Sequence, residues 1–357
     1  MQDDSEVHND IAKSQLMALL GSLIDDVLLE INHDMTIMHS NAAGISLLGD
    51  DLIGSNLSQR LTYTDLKEDF HSAITTRKII EFTTTPSGFS VANRFRQLRG
   101  RMLYLDEATV IILLMDMTLQ HNLEKMRRDF IANVSHELRS PLTSLIGFVE
   151  TMQSSDDMEA KTRDRFLGIM ADEAKRMSRL IDDLMSLAKV ENEEHIAPMA
   201  RVFIENIVQS VIVSLTKRVQ ETGREIIFTD RRKNTGQAPI ILGETDAMTE
   251  VFHNLIDNAI KYSFPGSTIS VDMLNNDAND TLTINIINQG EGIEEKHIPR
   301  LTERFYRVDK GRSRQMGGTG LGLAIVKHII NKHRGELIIK STLNEKTVFS
   351  VILPIAQ

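Results

Sequence analysis

A chain of 357 residues, 41% apolar and 25% charged, is long enough for two or three domains and has the composition of an ordinary globular protein. The net charge of −10 is concentrated in residues 1–118, with 17 acidic and 9 basic side chains, against 33 and 31 in residues 119–357; neither part has the basic excess of a nucleic-acid binder. Zero Cys excludes disulfides, thiolate metal sites and cysteine nucleophiles, is compatible with a reducing compartment, and with zero Trp leaves the cores to Leu, Ile, Val and Met.

No run approaches the roughly 20 apolar residues of a membrane span; Met17–Ile24 and Val110–Met115 are the best and are short. We expect a soluble, cytoplasmic chain, membrane-associated only through an anchor lying upstream.

In chain order, residues 14–118 mix short apolar runs with turn signals at Asn32-His33-Asp34, Gly49-Asp50-Asp51 and Pro86-Ser87-Gly88. Val27–Ile31 and Ala108–Met115 read as strands of a small α/β module ending at Asp116-Met117-Thr118. Residues 119–192 carry two stripes of helical period, Leu123 to Met152 and Phe166 to Ala188, separated by Ser154-Ser155-Asp156-Asp157. They predict an antiparallel hairpin of two long helices, which needs a second copy to close a four-helix bundle, hence a homodimer. After a linker near Glu193–Met199, residues 200–357 alternate strands (269–274, 282–287, 336–341, 348–353) with helices (203–221, 246–262, 321–333), an α/β sandwich on a largely antiparallel sheet. The expected fold class is multidomain α+β.

Four constellations carry chemistry. His136 is two positions from both Val134 and Leu138 on the apolar stripe, about 200° around the helix, so it points away from the core with Ser140 one turn on and Glu137 beside it. Pro141 inside the helical pattern costs about 3 kcal/mol and bends the helix beside the histidine. Asn254 and Asn258 share one face a turn apart, with Lys261 near the same edge. Neutral amide oxygens beside phosphate suit Mg2+, and a lysine adds a point charge for phosphate. The glycines of Asn288-Gln289-Gly290-Glu291-Gly292-Ile293 let backbone approach a nucleotide. Gly317-Gly318-Thr319-Gly320-Leu321-Gly322-Leu323 opens a helix whose backbone N–H groups suit phosphates. It is no P-loop, lacking Gly-Lys-Ser/Thr, and no dinucleotide turn, because a charged stretch and not a strand precedes it.

Residues 130–142, Phe-Ile-Ala-Asn-Val-Ser-His-Glu-Leu-Arg-Ser-Pro-Leu, resemble the phospho-acceptor box of the sensor histidine kinases of two-component systems. The run from Glu250 to Tyr262 resembles their N box, the Asn288 and Gly318 clusters their glycine boxes, and Glu303–Asp309 their F box and lid. Four boxes in order, with about 118 residues between His136 and Asn254, cover residues 119–357. The wording of Leu301–Arg307 and His333-Arg334-Gly335 is similar to the phosphate-regulon (PhoR-type) subfamily. More loosely, Asn41-Ala42-Ala43, Leu47–Gly54 and Asp116-Met117-Thr118 resemble a PAS sensor domain.

The resemblance implies a PAS-like sensor (14–118), a dimerisation and phosphotransfer hairpin (119–192) and a GHKL-type ATP-binding domain (200–357). It implies ATP and Mg2+ as cofactors and a response-regulator receiver domain, suspected OmpR/PhoB-like, as partner. His136 would be the phospho-acceptor, Glu137 its acid/base group, Ser140 the residue orienting water for phosphatase activity, and Arg307 the group meeting the transferring phosphate. Asn258 would hold Mg2+, with Asn254 a second candidate ligand. Lys261, Tyr262, Asn288, Gly290, Gly292, Gly318, Thr319, Gly320, Leu321, Gly322 and Thr347 would bind nucleotide. One departure stands out: the family places Asp where this chain has Asn288, an uncharged acceptor for the adenine amino group that can also donate. It motivates a rival reading, a phosphatase-biased or scaffold signalling protein with a weakened nucleotide site. For the sensor, the ligand is open; the absence of Cys excludes a flavin–cysteine adduct, and His33, His39 and His71 are haem candidates or plain surface histidines.

Overall fold

A computed structural model describes residues 19, 21–87, 96–106, 109–154, 158–232, 239–276, 280–309 and 318–356. Residues 14–18, Leu20, Gly88, Ala108, Ser155–Asp157 and Gly317, which figured in the readings above, lie outside them. The chain forms two compact units, 1–129 and 130–357.

The first unit is one antiparallel sheet with short helices. In chain order it contains β1 (Val27–Ile31), β2 (Ile37–Ser40), α1 (Ala42–Leu48), α2 (Leu57–Arg60), β3 (Leu61–Thr62), α3 (Leu66–Thr76), β4 (Ile80–Pro86), β5 (Leu98–Asp106) and β6 (Thr109–Asp116). The strand order is β2-β1-β6-β5-β4-β3. Alternation decides which face is buried: Leu29 and Ile31 on β1, Leu98 and Met102 on β5, and Ile112 and Leu114 on β6 all point into the core. Asn41 explains the entry to α1, since its side chain caps Gly44 N–H at 3.0 Å and donates to the Asp26 carbonyl at 2.8 Å. At the other end, Asp116 Oδ1 accepts the Thr118 N–H at 2.9 Å and the Thr118 hydroxyl oxygen accepts the Gln97 N–H at 2.9 Å. That pair of bonds fixes where the sheet stops and the next helix begins. The alternating strands β4 and β5 were not read from the sequence.

The second unit takes in most of the helix α4 (Thr118–Gln153), then α5 (Ala160–Glu193), β7 (Arg201–Phe203), α6 (Ile204–Glu221), β8 (Glu225–Asp230), β9 (Ile240–Leu242), α7 (Thr245–Tyr262), β10 (Thr268–Asn276), β11 (Thr281–Gln289), α8 (Gly322–Lys332), β12 (Glu336–Thr342) and β13 (Lys346–Pro354). α4 and α5 form the expected hairpin, with Phe148 and Phe166 in ring contact at 5.1 Å. Pro141 sits inside α4 and is its one buried residue. The main sheet runs β12-β13-β11-β10-β8, antiparallel except that β8 lies parallel to β10. Three amphipathic helices, α6, α7 and α8, share its core; Phe252, Leu255 and Ile256 of α7 and Ile325, Ile329 and Ile330 of α8 are fully or almost fully enclosed.

The stripe read on α5 differs in part from what packs. Leu180, Leu187 and Val190 are its buried residues and join the core of the sandwich; of the stripe, Leu184 packs against that core and Ile181 does not. Ile181 is 48% exposed, as is Leu142 on α4. One register of α5 therefore serves the sandwich, while the neighbouring register is left apolar and open.

Candidate functional site

α7 forms one wall of a cavity of about 760 Å³ in the second unit. A helix that must bury Met248, Val251, Phe252 and Leu255 against the sheet turns Glu250, Asn254, Asn258 and Lys261, spaced by three or four residues, to the opposite side, where they line the cavity. Asn288, at the end of β11, and its register partner Thr347 on β13 line it from the sheet; they are 3% and 5% exposed. The remaining walls include Gly292, Arg307, Gly318, Thr319, Gly320 and Gly322. Tyr262 also lines it.

Two glycines are needed for close approach. Gly322 begins α8, and a Cβ there would stand 3.0 Å from Asn254 Oδ1. Gly292 has φ +75°, and a Cβ would meet the Thr342 carbonyl at 2.5 Å. Gly290 and Leu321 do not line the cavity: Gly290 forms an isolated bridge with Ser263, and Leu321 is buried in the core.

The helical hairpin contributes Arg179 and Asp183 of α5 to the same cavity, and α6 contributes Arg218. None of the three was anticipated, because spacing within a helix does not tell which helix it will face. Asp183 accepts a hydrogen bond from the Thr319 hydroxyl at 2.5 Å, and Ser186 donates to Glu250 at 2.8 Å. Burial pushes both the Asp183 and the Glu250 carboxyl groups above the usual carboxylate range, with those two hydrogen bonds opposing it. Near the end of α5, Lys332 bridges Glu193 and Glu244 at 2.8 and 2.7 Å, and Arg304 pairs with Glu191 at 2.6 Å.

His136 and Ser140 are exposed on α4, on the side away from the packed residues. Glu137 is half-buried instead, 3.3 Å from Arg176 of α5 and 3.8 Å from Arg307. Arg307 also donates to the Gly318 carbonyl. Phe305 packs on Phe130 of α4 at 5.8 Å, whereas Tyr306 lines the cavity, its hydroxyl 2.6 Å from His297 and its ring under Arg300. The lid residues are thus seated against the hairpin.

The donor set fits Mg2+. Asn254 and Asn258 bring neutral oxygens a turn apart on the cavity side. Among the described residues no three His, Asp or Glu side chains gather to hold a metal, so an ion here would draw its other ligands from phosphate and water. Also among the described residues, no helix is long and apolar enough to cross a membrane.

Fold and site together define a nucleotide-binding α/β sandwich joined to a helical hairpin that displays an exposed histidine. Residues 126–193 match the His Kinase A (phospho-acceptor) domain, and residues 243–357 match the histidine kinase-, DNA gyrase B- and HSP90-like ATPase family. The chain is 38% identical over 250 residues to the sensor protein kinase WalK of Staphylococcus saprophyticus, covering 68% of this chain and 39% of that protein. It is 30% identical over 362 residues to the sensor protein SrrB of Staphylococcus aureus, covering 99% of this chain and 58% of that one. It therefore spans less than two thirds of the length of these curated relatives. The fold resembles histidine kinase ThkA in its crystal structure with response regulator protein TrrA, at a TM-score of 0.51 and 19% identity over 92% of this chain and 96% of that one. The chain belongs to the sensor histidine kinases of two-component systems.

Proposed function

We propose that the protein transfers the γ-phosphoryl group of ATP to His136 and passes it to an aspartate in a response-regulator receiver domain. The observation that carries this reading is the convergence of Asn254, Asn258, Lys261, Asn288 and Thr347 on one cavity, in the unit that also displays His136. Lys261 and Arg307 supply positive charge for phosphates, Asn288 accepts from the adenine amino group, and the N-terminus of α8 faces the phosphates. Mg2+, held by Asn258 with Asn254 as a second ligand, would neutralise the charge developing on the leaving phosphate oxygens.

In the transfer, one imidazole nitrogen of neutral His136 forms the N–P bond as the bond from the γ-phosphorus to its bridging oxygen breaks. ADP leaves with that electron pair, and Glu137 takes the proton from the other ring nitrogen. Glu137 must first be released from Arg176 and Arg307, so the arrangement described is a resting one. Ser140, exposed a turn beyond His136, would orient water to remove phosphate from the regulator.

The division of labour we propose is a PAS-like sensor over 14–118, a hairpin over 119–192 and an ATP-binding domain over 200–357. The open register at Leu142, Ile146, Ile181 and Met185 supports a second copy completing a four-helix bundle. The PhoR-like wording of the lid supports an OmpR/PhoB-like regulator. Incubation with γ-labelled ATP and Mg2+ tests the central claim: wild type should acquire acid-labile label and His136→Gln none, with nucleotide binding intact. Label persisting on His136→Gln would overturn it.

A further inference from the structure

Lys261 is not waiting for phosphate. Its Nζ lies 2.8 Å from Asp257 Oδ2, one turn back on α7, and the lysine side chain is only 13% exposed. Asp257 itself is 8% exposed, which makes its carboxylate one that cannot be left without a cation. On its own, this pair would hold Lys261 in place, because every move of the ammonium toward a nucleotide would strand a buried negative charge.

The second carboxylate oxygen changes that balance. Asp257 Oδ1 forms an ion pair with Arg218 Nη1, from the last turn of α6, the helix packed alongside. The two oxygens therefore have separate cations, and Arg218, Asp257 and Lys261 all border the cavity together with Asn258. Two positive charges flank this one carboxylate, and Asp183 of α5 is another acidic group within electrostatic reach of Lys261. A nucleotide's phosphates can draw off one cation, and Asp257 remains paired with the other. The more rigid guanidinium is suited to staying, the longer and single-pointed ammonium to leaving.

We infer that Arg218 is a positioning residue for nucleotide binding: by keeping Asp257 paired, it frees Lys261 to reach the phosphates. This deepens the reading of the cavity as an ATP site and rests on Lys261 being a phosphate ligand there. Arg218 is predicted to matter only for ligands that carry phosphate, and only while Asp257 is charged.

The test is calorimetric titration of the full chain with a non-hydrolysable ATP analogue, ADP and adenosine, in the presence of Mg2+. Arg218→Gln should weaken the ATP analogue and ADP on the order of tenfold, since Lys261 can then leave only by unpairing a buried carboxylate. Adenosine should bind it as it binds wild type. Arg218→Lys should restore most of the loss, and Arg218→Gln combined with Asp257→Asn should restore it as well, because the carboxylate that Lys261 would have to abandon is then gone.

Each contrary result has its own meaning. Wild-type ATP affinity in Arg218→Gln, when Lys261→Met has lost affinity, would overturn the role of Arg218 alone. Failure of Asp257→Asn to rescue would make Arg218 a direct ligand and refute positioning. Equal loss for adenosine would show a structural role instead. If Lys261→Met binds the ATP analogue as tightly as wild type, the phosphate role of Lys261 falls first, and the inference with it. Should Arg218→Gln fold poorly, Asp257→Asn alone decides: it should bind the ATP analogue at least as tightly as wild type, and weaker binding would overturn the proposal.

Discussion

Replacing Asn288 by Asp asks how much a single charge at the cavity floor contributes to nucleotide selection. Asn288 is 3% exposed and faces Thr347 across the β11–β13 ladder, where the Thr347 hydroxyl is already engaged with Ser341 at 2.8 Å. In the proposed nucleotide pose, a carboxylate at this position would accept a charge-assisted hydrogen bond from the adenine amino group, about twice the strength of the neutral one. The net gain is about 1 kcal/mol, roughly five- to tenfold in affinity. Against it, the empty cavity must bury a carboxylate without that partner, which costs the unliganded fold about 1–3 kcal/mol. The variant should thus melt lower than wild type without nucleotide and recover when an ATP analogue is added. Calorimetric titration should show tighter ATP binding and a wider ATP/GTP preference, because Asn288 can offer an N–H to the guanine carbonyl and Asp cannot. ATP binding that is unchanged or weaker in Asn288→Asp would show that the native amide is no handicap, and would remove the support for a scaffold with a weakened nucleotide site.

Asn258→Ala should abolish Mg2+-dependent labelling while leaving adenosine binding within about twofold, since it removes an amide oxygen proposed as a metal ligand and nothing that touches the base; persistent labelling would contradict the assignment. His333, 3% exposed, accepts the Glu244 N–H at Nε2 (3.1 Å), lies 2.7 Å from the Ile329 carbonyl at Nδ1, and has its pKa pushed below 6.5 by burial. The unfolded chain then takes up this proton at a higher pH than the native one, so stability present above about pH 6.5 is lost as the pH falls toward the native value. The raised Asp183 and Glu250 carboxyl groups act in the opposite sense, so the difference between wild type and His333→Gln isolates the histidine. Urea midpoints at pH 7.5 and 5.5 should converge for the two proteins at the lower pH; a constant gap would refute the linkage.

What could be read from the sequence follows from how local each signal is. α7 was legible because its apolar residues, such as Val251, Phe252 and Leu255, recur at helical spacing and so assign Asn254 and Asn258 to the other side. β11 was legible by strict alternation from Leu282 to Ile286. β8 was not, being a six-residue strand whose parallel pairing with β10 depends on chain some forty residues away. For α5 the period was clear but the face was not: Leu180 and Ile181 are equally apolar, and only packing against the sandwich distinguishes them. The same blindness hid Asp183 and Arg218, whose role at the cavity depends on which helix lies opposite.

Arg307 has one guanidinium group, and it is shared between the Gly318 carbonyl and Glu137. If it turns toward a γ-phosphate, Glu137 gives up that contact while keeping the one to Arg176, and its restraint falls as the ligand arrives. Thermodynamic reciprocity then fixes a relation between events on two separate elements. The factor by which bound ATP loosens Glu137 equals the factor by which a restrained Glu137 weakens ATP. Filling of the cavity and readiness of the proposed base beside His136 would be two measures of a single equilibrium, so anything that grips α4 more tightly against α5 would register first as a change in nucleotide affinity.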